Sequence, residues 1–384
     1  MKITADENMP FATEAFSNLG DVTLAPGREM STEMLKDTDC LAIRSITKVN
    51  ESLLNGTAVK YVGTATIGTD HVDKQYLKNS GVGFASAPGC NAISVSEYVM
   101  TALLELAGRK GFTLAGKTIG IIGVGNVGSR VEKRARALGL EVILNDPPLA
   151  EQTGDKKYRP LEELVERADI VTFHVPLEKA GAHPTYHLLD KALLAKLKPG
   201  VVLLNTSRGA VASGEAVEAA IDSGALGAVV LDVWEEEPGV RASLLEKVDI
   251  GTPHIAGHSF DGKAWGTKMI YDSACACFGV EPCWTLEGLL PAPANPIINL
   301  AGVAGDSQAL LAKSSLESYD ILADDKNLRE ILNLPENERA KKFDGLRKGY
   351  AVRREFASRT VRLSPGQESL ATVLAGLDFK VEQV

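Results

Sequence analysis

The stretch IGIIGVGNVGSR, residues 119–130, decides how the rest of the chain is read. An apolar run of the kind found in buried strands leads into Gly123, Gly125 and Gly128 at G-x-G-x-x-G spacing, and a helical pattern, NVGSRVEKRARAL, begins among them. Glycine is needed where the backbone turns sharply and where a pyrophosphate must come close to the amides of a helix N-terminus. The spacing alone is a weak signal, because a glycine turn in an α/β protein that binds no dinucleotide looks the same. Its context is stronger. Eighteen residues beyond Gly128 the next apolar run, LEVILND, ends in Asp146, a position from which a carboxylate accepts hydrogen bonds from ribose hydroxyls. A negative charge there repels a 2′-phosphate, and no basic residue follows before Lys156, so the expected cofactor is NAD rather than NADP.

Outward from this motif, residues 117 to 256 alternate short β-branched runs (KTIGIIG, LEVILND, DIVTFHVP, GVVLLNTS, ALGAVVLDV) with helical segments. Runs that are apolar on both faces mark parallel strands covered by helices, which makes this a doubly wound, Rossmann-type α/β domain. Residues 1 to about 92 repeat the alternation more loosely in MKITADE, DVTLAP, CLAIRS, VKYVGTAT and GVGFASAP, giving a smaller flavodoxin-like unit. Two long helical stretches, 94–109 and 261–279, bracket the central domain, so the smaller unit is discontinuous and closed by the returning helix. After the proline-rich EPCWTLEGLLPAPANPIINL the pattern changes. The expected domains are therefore 1–93 with 258–284 for substrate, 94–257 for NAD, and an α+β domain over 285–384.

Three domains suit a chain of 384 residues, more than one hydrophobic core usually serves. Its 41 basic and 50 acidic side chains leave a net charge of -9, which argues against nucleic acid or an acidic membrane surface as partner. The first residues carry charge rather than an apolar secretion core, and nowhere do eighteen apolar residues run together, so a cytoplasmic location is expected. Five cysteines, Cys40, Cys90, Cys275, Cys277 and Cys283, suit free thiols in a reducing compartment. SACACFGVEPC lacks the paired spacing and nearby histidines of a zinc site, and no metal is expected.

Three further strand ends carry polar side chains: NTSRGA with Arg208, LDVWEEEP with Asp232 and Glu237, and GTPHIAGHS with His254 and His258. Ligands bind beyond the carboxyl ends of the strands in an open α/β sheet, so these residues are expected to converge. Oxidising a hydroxy acid needs a cation to hold the carboxylate, for which the arginine fork is suited, and a base of near-neutral pKa, for which histidine is suited. A carboxylate on the other imidazole nitrogen fixes the tautomer. Of Glu235, Glu236 and Glu237, the last is the expected partner because Pro238 restricts its backbone; the first two are expected to face solvent. His71, His174, His183 and His187 read as structural. Taken singly, such an arginine is more often a surface residue and such a histidine a packed or capping one.

GVGNVGSR, LLNTSRGA, LDVWEEEP and TPHIAGHS together resemble the NAD-dependent D-2-hydroxyacid dehydrogenase family, whose catalytic arginine, glutamate and histidine fall on Arg208, Glu237 and His254. ADENMP, RSITKVN, GTATIGTDHVD, PGCNAISVSEYV and the tail FDGLRKGYAVRREF extend the resemblance over almost the whole chain, towards a branch that acts on a four-carbon phosphorylated acid. The resemblance implies oxidation of 4-phospho-D-erythronate to 2-oxo-3-hydroxy-4-phosphobutanoate by a homodimer joined through the C-terminal domain. By matching position it also implies Asn126, Val127, Asp146, Val175, Asp232 and Gly257 as cofactor contacts, and Ser45 and Thr66 as substrate contacts. His258 stands where that branch often has a tyrosine; an imidazole still donates to a phosphate or hydroxyl.

On physical grounds CLAIRSITKVN sets Arg44, Ser45 and Lys48 after an apolar strand, and GTATIGTD offers small residues whose amides suit a carboxylate, as a small anionic substrate requires. Arg347, Lys348, Arg353 and Arg354 in the tail are expected on a solvated face or at a dimer contact. Two alternatives stay open: another hydroxyacid dehydrogenase, acting for example on 3-phosphoglycerate or hydroxypyruvate, and an NAD-sensing binding protein without turnover.

Overall fold

The five apolar runs of the first ninety residues become five strands, β1 (Lys2–Asp6), β2 (Asp21–Ala25), β3 (Cys40–Ile43), β4 (Tyr61–Thr64) and β5 (Gly83–Ser86). All pair in parallel, in the order β2-β1-β3-β4-β5, which is the flavodoxin-like order. β3 and β4 are buried along their whole lengths, which is why they read as continuous apolar runs. The helix Phe260–Phe278 returns to this sheet, where Ile270, Tyr271 and Ala274 share a core with Ile3, Phe16, Cys40 and Tyr61. Gly266 is required there: a β-carbon would lie 2.8 Å from the Ala65 carbonyl oxygen. The computed structural model describes all residues from Met1 to Val384, and this first compact unit comprises Met1–Ala92 and His258–Pro291.

The second unit, Ile93–Gly257 with Ala292–Val384, is built on β6 (Thr118–Ile122), β7 (Glu141–Asn145), β8 (Ile170–Phe173), β9 (Val201–Asn205), β10 (Leu226–Leu231) and β11 (Ile250–Gly251). These form a parallel sheet in the order β11-β10-β9-β8-β6-β7. From β7 at the edge the chain crosses back over β6 to lay down β8 on its other side, so the strand order reverses between β6 and β8. Side chains alternate between two cores. Ile119, Ile121, Leu204 and Val230 meet Leu103 and Leu106 of the long helix Ala92–Lys110 on one face. On the other, Ile122, Val171, Leu203 and Leu231 meet Leu164, Val217 and Leu244. Each fully buried aliphatic side chain contributes about 1.5–3 kcal/mol.

The segment expected as a third domain does carry its own sheet, with β12 (Ile297–Asn299), β13 (Thr360–Leu363) and β14 (Lys380–Gln383) in parallel, and helices Ser307–Ser318, Ile321–Arg329, Glu336–Lys348 and Glu368–Gly376. Its core is continuous with that of the second unit. Ile298, Leu310, Phe356, Val361 and Leu374 share a core with Leu103, Ala135 and Leu140, and Phe343 joins the cluster that holds Trp234 and Leu245. The tail also corrects the expectation of a solvated basic face. Arg353 and Arg354 are only 7% and 8% exposed, and the Arg353 guanidinium lies 4.2 Å from the centroid of the Tyr319 ring. Cation–π stacking and backbone carbonyl acceptors compensate a charge that water no longer solvates. No helix of the chain is long and apolar enough to cross a membrane.

Candidate active site

The three glycines after β6 are needed for three different reasons. Gly123 has φ +87°, and a β-carbon there would lie 2.8 Å from the His174 backbone and the Val175 side chain, so it makes a tight turn at the switch point of the sheet. Gly128 sits where a β-carbon would be 2.0 Å from the Gly123 carbonyl oxygen, which lets the helix Asn126–Ala137 lie directly on that turn. At Gly125 a β-carbon would meet nothing within 4 Å. That open space fronts the N-terminus of the helix, where unpaired amides and the helix dipole receive an anion.

Asp146 caps the helix Pro147–Thr153 through Oδ1, which accepts from Leu149 N at 3.1 Å, while Oδ2 accepts from Val124 N at 2.7 Å and steadies the glycine loop. A carboxylate offers about four acceptor sites, so capacity for ribose hydroxyls remains. Asn126 and Val127 open the helix, and Val175 adjoins Gly123, so the expected cofactor residues of β6, β7 and β8 gather at one edge. His174, beneath the turn, is structural as expected: its ring meets Thr172 at 3.0 Å and Thr206 at 3.2 Å, and burial pushes its pKa down to about 3.

Beyond β10 and β11 the structure pairs His254 with Glu237, the imidazole Nδ1 lying 2.7 Å from Oε2. The other carboxylate oxygen accepts from Trp234 N at 2.8 Å, so both oxygens are held. Burial pushes the Glu237 carboxyl up, but the His254 ring, the Trp234 amide and the Arg347 guanidinium outweigh it and hold it below the usual carboxylate range. An acceptor on Nδ1 assigns the proton to that nitrogen and leaves Nε2 free to act as base. His254 itself adopts φ +57°, a left-handed conformation that costs a side-chain-bearing residue about 1–3 kcal/mol and is sustained only where the surroundings enforce it. Asp232 enforces it. Its backbone oxygen accepts from His254 N at 2.7 Å, and its buried carboxylate accepts from Ile255 N (2.8 Å), Ala256 N (3.0 Å) and Thr252 Oγ1 (2.6 Å). Burial raises the Asp232 pKa against these donors.

Arg208 follows the end of β9, where Asn205 shapes the loop: its amide donates to the Arg208 carbonyl at 3.0 Å and its Oδ1 accepts from Ser207 N at 3.0 Å. Gly209 is forced by close approach, since a β-carbon would be 1.9 Å from the Trp234 carbonyl oxygen. The Arg208 loop therefore rests on the backbone that holds Glu237. Trp234 Nε1 donates to Thr252 O at 3.0 Å, tying in the segment that leads to His254. Glu235 departs from the expectation of a solvated residue. Its carboxylate pairs with His187 and accepts from Gly214 N at 2.8 Å; burial pushes it up, yet these donors hold it below the usual value. Glu236, 67% exposed, does face solvent.

In the first unit β3 and β4 are neighbours, with Ile43 beside Thr64, so Arg44 and Ser45 after one strand and Thr66 after the other emerge side by side. Thr66 Oγ1 lies 2.8 Å from Thr64 Oγ1 and donates to Gly68 O at 3.1 Å. Ser45 is exposed, and His258 and Gly257 are half-buried, just ahead of the helix Phe260–Phe278.

The description "D-isomer specific 2-hydroxyacid dehydrogenase, NAD binding domain" matches residues 96–256, and a domain of unknown function matches 289–377. Erythronate-4-phosphate dehydrogenases of Salmonella paratyphi A and Salmonella newport are each 49% identical over 379 residues, covering 99% of this chain and 98% of theirs. Among solved structures, D-lactate dehydrogenase from Aquifex aeolicus complexed with NAD and lactic acid aligns with a TM-score of 0.58 at 25% identity, over 73% of this chain and 96% of that one. NAD+-bound 3-phosphoglycerate dehydrogenase from Entamoeba histolytica shares the fold, with a TM-score of 0.62 at 24% identity over 73% and 95%. The matched NAD-binding domain and the open approach at Gly125 agree on NAD as cofactor. Near-half identity across virtually the whole length leaves one assignment: the chain belongs to the D-2-hydroxyacid dehydrogenase family and, as an NAD-dependent enzyme, groups with the erythronate-4-phosphate dehydrogenases.

Proposed function

We propose that this chain oxidises 4-phospho-D-erythronate to 2-oxo-3-hydroxy-4-phosphobutanoate in the synthesis of pyridoxal phosphate. The observation that carries the reading is the His254–Glu237 pair, 2.7 Å apart, beside the backbone at Trp234 against which the Arg208 loop packs. Arg208 holds the substrate carboxylate in its fork and polarises the oxygen at the reacting carbon. His254 Nε2 removes the hydroxyl proton, and Glu237 stabilises the imidazolium that results. NAD, when bound, supplies the two-electron acceptor for that carbon. Gly123, Gly125, Asn126, Val127, Gly128, Asp146, Val175, Asp232 and Gly257 are proposed as its contacts, and Arg44, Ser45, Thr66 and His258 as contacts of the phosphorylated acid.

The same reading includes a cytoplasmic homodimer. Five free thiols suit a reducing compartment, and Val352 and Ile297 of the C-terminal segment, 64% and 44% exposed, are apolar surface for a second copy to cover. Steady-state oxidation of 4-phospho-D-erythronate beside 3-phospho-D-glycerate tests the substrate, with kcat/KM expected to favour the four-carbon acid by about tenfold or more. Preference for the three-carbon acid overturns it.

A further inference from the structure

The turn that carries His254 is gripped from both sides. Inside, Asp232 holds the amides of Ile255 and Ala256. On the other side the carbonyl of Ala256, two residues past His254, accepts from Nη2 of Arg353 at 2.5 Å. The same Nη2 lies 3.3 Å from the Ser94 carbonyl oxygen, on the long helix Ala92–Lys110. Arg353 belongs to the C-terminal segment, and its guanidinium is stacked over Tyr319. Tyr319 is fixed in turn: its hydroxyl donates to Asp324 Oδ2 at 2.9 Å, and Tyr350 donates to the same oxygen at 2.7 Å.

A buried guanidinium is a poor way to gain stability, because well-packed apolar residues do as well or better without the desolvation cost. What it supplies is direction: a planar donor, seated over the Tyr319 ring, that joins the Ser94 carbonyl of the long helix to the Ala256 carbonyl of a turn in which His254 is in a left-handed conformation. We propose that Arg353 is a positioning residue for catalysis: by holding the Ala256 carbonyl it fixes the His254 turn and keeps Nδ1 on Glu237, which makes the C-terminal segment a working part of the site. The proposal rests on the reading of His254 and Glu237 as the catalytic pair.

Charged groups near that pair include Asp232 beneath the turn, Arg347 beside Glu237 and Arg208 on the neighbouring loop, and none of them is altered by substituting Arg353. In the whole chain described above, Arg353→Lys keeps the buried charge and loses the planar fork. Expected are a folded protein, a kcat lower by about 10- to 100-fold, a KM for NAD within about threefold, and an acid limb of the kcat/KM profile displaced to lower pH. In a double-mutant cycle its effect shrinks to about threefold or less when Glu237 is already glutamine, because both changes act on the same imidazole. The proposal is overturned if Arg353→Lys lowers Tm yet keeps kcat and the acid limb, or if the two effects multiply. Should that variant fail to fold, Tyr319→Leu, which removes the platform under the guanidinium, is judged by the same readouts. His254→Ala separates the two levels: retained turnover there defeats the catalytic reading itself, whereas lost turnover with an unmoved Arg353→Lys profile defeats this inference alone.

Discussion

Replacing Glu237 with glutamine changes one charge at nearly constant shape, and its consequence can be worked from the geometry. Two unit charges about 4 Å apart interact by about 4 kcal/mol at an effective dielectric of about 20. The histidine and glutamate side chains are 32% and 21% exposed, so solvent cuts this to roughly 1–2 kcal/mol of attraction between carboxylate and imidazolium. Losing that attraction moves the acid limb of the oxidation profile to lower pH. A larger effect comes from the tautomer. The Trp234 amide, which donates to Oε1 at 2.8 Å, accepts no substitute but an oxygen, so the glutamine turns its NH2 towards Nδ1. Nδ1 must then accept, Nε2 must carry the proton, and the base is lost. A fall in kcat of about 10³- to 10⁴-fold is expected, the scale of such a change in other carboxylate–imidazole pairs. NADH absorbance across a pH series gives the profile, and calorimetry gives NAD affinity, which should stay within about threefold. A kcat within tenfold of the parent and an unmoved acid limb would refute the assigned geometry.

Three further outcomes follow from single positions. Gly125→Ala should keep Tm within about 2 °C while weakening NAD binding by about tenfold or more; Gly128→Ala, whose β-carbon would be 2.0 Å from a carbonyl oxygen, should lower Tm by several degrees. Thermal unfolding with calorimetric titration checks both, and the reverse ranking would contradict the roles given to these glycines. His174 is a base whose pKa burial pushes down to about 3 from an ordinary 6.5. Below pH 6.5 the unfolded chain takes up a proton that the folded chain refuses, so this residue drains stability as pH falls from about 6.5 towards about 3, by up to ~1.4 kcal/mol per unit. Urea unfolding at pH 7, 6 and 5 should show a shallower loss in His174→Gln; equal slopes would show that the ring is not held neutral.

The two large sheets were legible because parallel strands covered on both faces are apolar throughout, and each such run in the sequence became a strand; the edge strand β2, exposed at Asp21, Thr23 and Leu24, is the exception in burial. The helix Pro147–Thr153 escaped notice although its signal was present, an aspartate cap followed by proline in the first turn. Glu336–Lys348 was hidden for a different reason. It buries only Phe343 and is polar over most of its surface, so it has little periodic stripe to detect. Glu237 and His254, which the structure pairs, were legible as polar residues beyond strand ends, and so was Arg208 on the loop that packs beside them. The supporting residues were not, because their partners are remote: His187 lies 48 residues from Glu235, and Arg353 lies 97 from Ala256. Four basic residues in a short tail look solvated until the fold lays Tyr319 under one of them.

Three consecutive glutamates with three fates show what the scaffold adds to residue type. Glu236 points outward, Glu235 binds His187 and the Gly214 amide, and Glu237 binds His254. Their charges are the same, and it was the restriction by Pro238 that singled out the last of them beforehand. In the structure the choice is made by what surrounds the loop. Gly209 lets the neighbouring loop rest on Trp234, the Trp234 amide takes one oxygen of Glu237, and the left-handed turn braced by Asp232 presents Nδ1 to the other. A carboxylate held at both oxygens keeps its partner in one tautomer, whereas a mobile one alternates between solvent and ring. It follows that catalytic losses in this enzyme should track residues such as Gly209 and Trp234, which need touch no substrate, as closely as they track the arginine, glutamate and histidine themselves.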